Sequence, residues 1–289
     1  ALEATNVVTV YADGAPSRAE VVGVDRTRHP VPILGGAMSE LPMPITEIAF
    51  IQRWLPSAAI RGLTLIDTPG LATLTVENET ATRRVLIDGF EQTRTASVDA
   101  DAAVFLFDST PRVDEVEFLA RLPFTPLNTL GVLSRSDGFG EGALGRIDPL
   151  RHAEHHARTL AQRLSDTVAT VVPISGLLAQ TSHTGALTEA DAAALAALRH
   201  LSPLALVDLL ESDRPAPLTP ALRDRLLDLV GEYGLINGRD VAAAGAASLN
   251  QWLADRSGIR RLREILDSSL ARFAVLHRAD RILVELDRL

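Results

Sequence analysis

Three short polar groups each directly follow a short apolar run, and this arrangement constrains the fold more than any other feature of the sequence. The groups are Asp67-Thr68-Pro69-Gly70 after residues 63–66, Ser134–Asp137 after residues 129–133, and Ser175-Gly176 after residues 170–173. Segments with helical spacing of apolar residues separate these runs, which is typical of parallel strands joined by crossover helices. Ligands bind outside the carboxyl ends of such strands. The sequence therefore predicts an α/β fold with one binding site at that edge of the sheet.

Apolar spacing also predicts the rest of the secondary structure. Asp13-Gly14 is a hairpin signal between two β-branched runs, and the many Pro and Gly of residues 30–47 favour a loop. Further predicted elements are strands at 6–11, 18–23 and 102–107 and helices at 79–98 and 149–166. The chain is helical in pattern after residue 185, in segments 188–199, 203–212, 219–232, 238–256 and 258–289. We expect part of this helical tail to cover the sheet.

Composition narrows the classes of function. The formal net charge of −9 over 289 residues disfavours nucleic acid as a partner, because phosphate backbones attract basic surfaces. The absence of cysteine excludes a disulfide framework and thiolate metal sites. The sequence contains no run of about 18 apolar residues, so it predicts no membrane-spanning helix. We expect a cytoplasmic protein, with peripheral attachment at the inner face of the cell membrane as an alternative.

The group after residue 66 has the chemistry of a metal and phosphate site. Asp67, at a strand end, is suited to holding the hydration shell of Mg²⁺. Gly70 would let its backbone N–H approach a terminal phosphate without a Cβ in the way. The same four residues also suit an ordinary turn after a strand, which is the simpler alternative.

The group after residue 133 has the chemistry of a base-reading loop. It resembles the Asn-Lys-x-Asp pattern of GTP-binding proteins, with Ser134 in place of the Asn and Arg135 in place of the Lys. The Asp137 carboxylate would accept hydrogen bonds from guanine N1–H and its amino group, and the stem and flat head of Arg135 would lie over the base. Adenine cannot supply both donors, so such a pairing discriminates strongly. An exposed turn is the alternative.

Two further positions complete the pattern. Ser175 and Gly176 resemble the loop that contacts the guanine O6 through backbone N–H groups. Thr5 lies 62 residues before Asp67, where a switch Thr would close on Mg²⁺ and the γ-phosphate. Thr9 is the competing candidate, but alternation favours a sheet residue there. His152, His155 and His156 lie on a polar helical stretch, for which a solvated helix face is the simpler interpretation than a metal site.

The phosphate-binding loop is missing from the sequence. All 28 basic residues are Arg, so the chain contains no G-x-x-x-x-G-K-[ST] signature, which requires a Lys. We expect this loop upstream of Ala1, and we expect the chain without it to be inactive.

At these residues the chain resembles the bacterial dynamin-like GTPases, in particular the actinobacterial isoniazid-inducible C-type family. The resemblance spans nearly the whole chain, and the phrases that carry it are Glu3-Ala4-Thr5, Val7-Val8-Thr9, Ile66–Gly70, Ser134–Asp137, Val171–Ala179 and Arg256–Ile259 with Leu262. The resemblance implies a G domain that binds GTP and Mg²⁺, hydrolyses GTP, forms a nucleotide-dependent homodimer and remodels membranes through a helical stalk. The membrane lipid would be contacted by segments outside this chain.

The resemblance also implies an organisation in three parts. Residues 1–185 would form a G-domain core that lacks its first strand and P-loop, residues 186–257 a helical insertion and closing helix, and residues 258–289 the start of a stalk. Thr5 and Asp67 would be the metal ligands, with Thr5 also gating the attacking water. A non-catalytic, degenerate G domain that acts as an interaction module is the alternative function, and Asp137 disfavours an ATPase.

Overall fold

The strands of this protein form one mixed sheet and one parallel sheet, together with a separate pair of short strands. The computed structural model of the protein describes residues 7–34, 37–38, 40–69, 95–96, 100–211 and 218–287. Thr5, Gly70 and most of the helix predicted at 79–98 therefore lie outside the described residues. The chain forms two compact units: one takes in the residues up to Asp101 with Arg121–Pro123, and the other takes in Ala102–Ala120 and the residues from Phe124 onward.

The first unit contains a five-stranded mixed sheet with the order β3-β2-β6-β1-β7. Its strands are β1 (Thr9–Asp13), β2 (Arg18–Gly23), β3 (Arg28–Val31), β6 (Ile48–Leu55) and β7 (Thr64–Asp67), and a separate pair is β4 (Ile33–Leu34) with β5 (Ala37–Met38). Only β1 and β6 pair in parallel, whereas β2–β6, β2–β3 and β1–β7 are antiparallel. The prediction of a mostly parallel sheet is wrong for this unit.

The hairpin predicted at Asp13-Gly14 is also wrong, because β6 lies between β1 and β2 in the sheet. Gly14 donates its backbone N–H to the carbonyl of Leu55 instead of turning the chain onto β2. The sequence prediction missed β6 itself. Ile48 and Ile51 are its only buried residues, and both join the core formed by Val21 and the other apolar residues of this sheet. An uneven burial pattern of this kind gives no clean two-residue period.

The second unit contains a parallel sheet with the order β10-β9-β8, as the sequence predicts. Its strands are β8 (Ala103–Phe107), β9 (Thr129–Leu133) and β10 (Val171–Pro173). The central strand β9 is buried at every residue, which explains its unbroken apolar and small character. Because the strands are parallel, the loops after β9 and β10 leave the sheet at the same edge.

Helices make up most of the second unit. They are α1 (Val113–Ala120), α2 (Pro149–Arg163), α3 (Gly176–Thr184), α4 (Glu189–Ala197), α5 (Pro203–Glu211), α6 (Pro220–Asn237), α7 (Arg239–Ala242), α8 (Ala246–Arg256), α9 (Ile259–Ile265) and α10 (Arg272–Leu286). Helices α3 to α8 share one core, in which Leu178, Leu195, Leu226, Leu249 and Leu253 are fully buried. The helical tail predicted from the sequence is confirmed.

The last helical segment packs on the sheet before it becomes exposed. A π-helical stretch, Leu266–Ala271, joins α9 to α10. Leu270 is buried in a core with Leu130 and Val172, whereas Val275 and Leu276 on α10 are 77% and 64% exposed. Part of the tail therefore covers the sheet, as expected. Within the described part of the chain, no helix combines the length and the apolar character needed to cross a bilayer.

Candidate functional site

The loops that follow β9 and β10 lie against each other at the carboxyl edge of the parallel sheet. The Ile174 N–H donates to the carbonyl of Leu133 at 2.8 Å, and the Ser136 N–H donates back to the carbonyl of Ile174 at 3.2 Å. Ser134 ties the first loop to β8, since its N–H and its Oγ both donate to the carbonyl of Phe107, at 2.8 and 3.2 Å. Two of the three predicted polar groups are thus brought together.

The first loop presents one charged side chain of each sign. Arg135 adopts a left-handed conformation (φ 54°, ψ 36°) and is exposed, and it precedes the 3₁₀ turn Ser136–Gly138. A non-glycine residue in this conformation is uncommon and marks a turn with special geometry. Ser136 is buried in the turn, while Asp137 is half-buried. The arrangement leaves a carboxylate and a guanidinium available on the same short loop.

After β10, Ser175 and Gly176 have different roles. Ser175 is fully buried, its Oγ accepts a hydrogen bond from the N–H of Leu178, and its own N–H donates to the carbonyl of Ser257 at 2.9 Å. Ser175 therefore fixes the start of α3, and its polar atoms are already used. Gly176 is exposed and, as the first residue of α3, has an N–H without an intrahelical acceptor. Gly176 is the member of the pair that is suited to contacting a ligand.

Gly258 packs closely against the end of β10, where the second loop begins. It has a positive φ of 79°, and a Cβ built on it would lie 2.4 Å from the carbonyl oxygen of Pro173. Only a residue without a side chain permits this approach. The close contact keeps the Ser257 carbonyl in reach of the Ser175 N–H, so the start of α9 sets the position of the loop after β10.

A glycine outside the predicted motifs, Gly231, lies beside Asp137 of the first loop and Leu177 of α3. Gly231 interrupts α6 with φ 62° and ψ −177°, values outside the helical region. A Cβ built on Gly231 would lie 3.1 Å from Cδ2 of Leu177 and 3.7 Å from Oδ2 of Asp137. The sequence signal was an isolated Gly inside a helical pattern, which often has a packing or functional reason.

An aromatic cluster supports the base of the first loop. Phe139, which follows the 3₁₀ turn, packs between His152 and His156 of α2, with ring centroids 5.1 Å away in both cases. His156 also lies 3.4 Å from the hydroxyl of Thr110 through its Nε2. Burial lowers the pKa of His156, and the charges of His152, Arg163 and His155 lower it further. His152 and His156 position the loop by packing against Phe139.

The predicted phosphate and metal residues are only partly described. Asp67 is the last residue of β7 and belongs to the mixed sheet of the first unit, not to the parallel sheet of the other two groups. The prediction that all three strands share one sheet is therefore wrong. The residue is exposed, yet desolvation by its surroundings raises the pKa of the Asp67 carboxyl. Thr9, the competitor of Thr5, is a buried residue of β1, as the alternation predicts.

A metal site is not assembled in the part of the chain that the structure describes. No three His, Cys, Asp or Glu side chains come together there in a way that could hold an ion. His152, His155 and His156 are thus not placed as a ligand set. Of the two predicted Mg²⁺ ligands, Asp67 is described, and Thr5 lies outside the described residues.

Comparison with known proteins places the chain by sequence. No family model matches it. Isoniazid-induced protein IniC of Mycobacterium tuberculosis, in the CDC 1551 / Oshkosh and the ATCC 25618 / H37Rv strains alike, is 30% identical over 314 aligned positions. The alignment covers 100% of this chain, and the chain spans 60% of the length of these curated relatives.

Solved structures were also compared. Two chains from an oligomerised bacterial dynamin pair, which is described as a mechanism for long-range sensing and tethering of membranes, align with TM-scores of 0.37 and 0.38. They are 15% and 13% identical, cover 60% and 61% of this chain, and are themselves covered to 26%. The sequence similarity to IniC extends over the whole chain and agrees with the resemblance seen in its motifs. The chain is therefore IniC-like in sequence over its whole length.

Proposed function

We propose that this chain carries the base-binding half of a guanine-nucleotide site, and that the full-length protein binds and hydrolyses GTP with Mg²⁺. One observation carries the proposal. The loops after β9 and β10 are hydrogen-bonded to each other, and both Asp137 and Leu177 border Gly231. A carboxylate and the first N–H groups of a helix thus belong to one small region.

The chemistry of these groups matches the edge of guanine. The Asp137 carboxylate accepts hydrogen bonds, and guanine offers two donors, N1–H and its amino group, on one edge. Guanine O6 is an acceptor, and the free N–H of Gly176 at the positive end of α3 is a donor. Arg135 is exposed on the same loop, so its flat head is free to cover the base. In this proposal Ser175 positions Gly176 and does not touch the ligand.

The phosphate side of the site is proposed from the sequence and the family resemblance. Asp67 would hold the Mg²⁺ shell, Thr5 would close on Mg²⁺ and the γ-phosphate and gate the attacking water, and Gly70 would sense the γ-phosphate. The P-loop would be supplied by sequence outside residues 1–289. With no Gln close after Gly70 to orient the attacking water, a nucleotide-dependent homodimer would help to complete the site.

Assembly and membrane attachment are proposed for the full-length protein only. The structural neighbours come from an oligomerised pair that is described as tethering membranes. We extend self-assembly and membrane remodelling to this protein as a proposal, with lipid contacted by segments outside this chain. A non-catalytic G domain that serves as an interaction module is the second candidate.

Equilibrium binding and turnover by the full-length protein test the proposal. We expect GTP and GDP to bind at least about a hundredfold more tightly than ATP, because adenine would leave the Asp137 carboxylate unpaired. We also expect phosphate release from GTP that rises with protein concentration. Binding without turnover at any protein concentration would favour the interaction module. Equal affinity for GTP and ATP would contradict the base-binding assignment.

A further inference from the structure

The break in α6 at Gly231 has a conformation that only glycine adopts readily. Its φ of 62° with ψ of −177° lies in the region that is essentially closed to residues with a Cβ. Such strained backbone persists where the surroundings over-determine it, and it concentrates at ligand sites. The contacts that hold this conformation and the groups that lie beside it therefore bear on function.

Hydrogen bonds on both sides hold the break. Before it, the carbonyl of Leu229 accepts a hydrogen bond from the hydroxyl of Thr181 on α3 at 2.5 Å. After it, the Tyr233 hydroxyl donates to Oδ2 of Asp148, the N-cap of α2, at 3.3 Å, and accepts from Nη1 of Arg256 at 3.4 Å. Helix α6 is thus tied to α3 on one side of the break and to α2 on the other.

The break lies beside the first loop of the proposed base site and the first turn of α3. The position that a Cβ on Gly231 would take is close to Oδ2 of Asp137 in that loop and to the side chain of Leu177 in α3. Gly231 and Asp137 are both half-buried, so this point is neither sealed in the core nor free in solvent. A methyl group on Gly231 would occupy space within 3.7 Å of the carboxylate and would press on Leu177 at 3.1 Å.

We propose that Gly231 is a specificity-determining residue that forms the wall of the base site beside the exocyclic amino group of guanine. This inference rests on the proposed base-binding role of Asp137. The missing side chain leaves the carboxylate room to accept that amino group, and the glycine-only conformation brings the backbone of α6 to this position. Inosine carries no amino group there, so it needs less of the space.

Gly231→Ala in the full-length protein, with GTP and inosine triphosphate as paired ligands, tests the inference. We expect the GTP affinity to fall by at least about tenfold and the affinity for inosine triphosphate by less than about threefold, because of the two bases only guanine has an amino group where the new methyl group lies, whereas the contact of that methyl group with Leu177 affects both ligands alike. Gly185→Ala is the matched control. Gly185 also has a positive φ, 65°, at the end of α3, but a Cβ there would meet nothing within 4 Å. The control should leave both affinities unchanged.

A photoreactive nucleotide gives a second measurement that does not depend on the variant folding. 2-Azidoinosine triphosphate carries its reactive group at the amino position, and trypsin cuts after Arg225 and Arg239. We expect wild-type protein to be labelled in the peptide 226–239, which contains Gly231. Labelling confined to other peptides, or equal loss of both affinities in Gly231→Ala, would overturn the inference. A wild type with no preference for GTP over ATP would instead refute the proposed function itself.

Discussion

Arg225 of α6 donates two parallel hydrogen bonds to Asp191 of α4, from Nε to Oδ1 and from Nη2 to Oδ2, each 2.8 Å long. Asp191 is 3% exposed at its side chain and also accepts hydrogen bonds from the N–H and the hydroxyl of Thr188, the N-cap of α4. The Arg225 hydrogen bonds, with the Thr188 bonds, lower the pKa of Asp191 to about 2. One carboxylate therefore caps a helix and joins it to the helix that carries Gly231.

Asp191→Asn should destabilise the second unit by about 2 kcal/mol, because a pKa lowered from 3.8 to about 2 corresponds to roughly that free energy. The folded-state pKa lies below the unfolded value, so this contribution is complete above about pH 4 and is lost as the pH falls toward 2. Urea unfolding at pH 7 and at pH 3 measures both effects. Asp228→Asn, at an exposed carboxylate on the same helix, is the control. An Asp191→Asn protein as stable as the control variant would contradict the assignment.

Thr181→Val should also destabilise the protein, since it removes the hydroxyl that satisfies the Leu229 carbonyl at the break in α6. Thr181 is 3% exposed, and Val has nearly the same shape, so the loss comes from the hydrogen bond to the Leu229 carbonyl. Removing one partner of a buried hydrogen bond costs about 1–3 kcal/mol. The free energy of unfolding from denaturant titration measures it.

Thr159→Val is the matched control for that variant. The hydroxyl of Thr159 donates to the carbonyl of His155 in its own helix, so the carbonyl keeps its helical partner when the hydroxyl is removed. We expect a change below about 0.5 kcal/mol there. If both Thr variants lose the same stability, the Thr181 hydroxyl has no special role at the break.

The stability of the protein should fall between pH 7 and pH 5, in part because of His156. Burial and the neighbouring positive charges lower the pKa of His156 below 6.5 in the folded state. The unfolded chain therefore binds this proton first, so the stabilisation is complete above about pH 6.5 and is lost as the pH falls through the folded-state pKa. Melting temperatures at half-unit pH steps measure the slope.

His156→Gln should flatten that slope, whereas His183→Gln, at an exposed position on α3, should leave it unchanged. Because Phe139 packs against His156, the same variant should loosen the turn that carries Asp137. A slope that persists in full in His156→Gln would mean that other groups cause the pH dependence.

The parallel sheet and its loops were predictable because their signals are local. Strand β9 is predicted residue for residue, since a strand buried on both faces is an unbroken apolar run. Each polar group that follows β9 and β10 is likewise read directly from the sequence. The position of Asp67 in another sheet was not predictable, because strand pairing depends on contacts between distant residues such as Thr9 and Asp67.

Gly231 shows why part of the site escaped prediction. Its neighbours Asp137 and Leu177 lie far from it in sequence, and its φ and ψ cannot be inferred from an isolated Gly in a helical pattern. The roles of Ser175 and Gly176 were separable only once the hydrogen bonds from Ser175 to Ser257 and from Leu178 to Ser175 were known. Motifs in the sequence locate a loop, whereas the structure shows which of its atoms remain free.

Asp137→Asn in the full-length protein should change the choice of base. A carboxylate accepts two hydrogen bonds from guanine, whereas an amide offers one donor and one acceptor, which suits xanthine because xanthine has an acceptor in place of the amino group. A lost charge-assisted pair costs about 1.5–3 kcal/mol. We therefore expect the affinity for GTP to fall at least about tenfold and xanthosine triphosphate to be preferred. Competition between the two nucleotides for a fluorescent analogue measures the exchange.

Asp67→Asn is the control for this change in base choice. If Asp67 holds the hydration shell of Mg²⁺, its amide variant should slow GTP hydrolysis while the preference for GTP over xanthosine triphosphate stays as in the wild type. The two variants should thus differ in kind, one in base choice and the other in turnover. If the Asp137→Asn protein still prefers GTP over xanthosine triphosphate, Asp137 does not pair with the edge of guanine. The half-buried carboxylate beside Gly231 then serves only the structure of the turn.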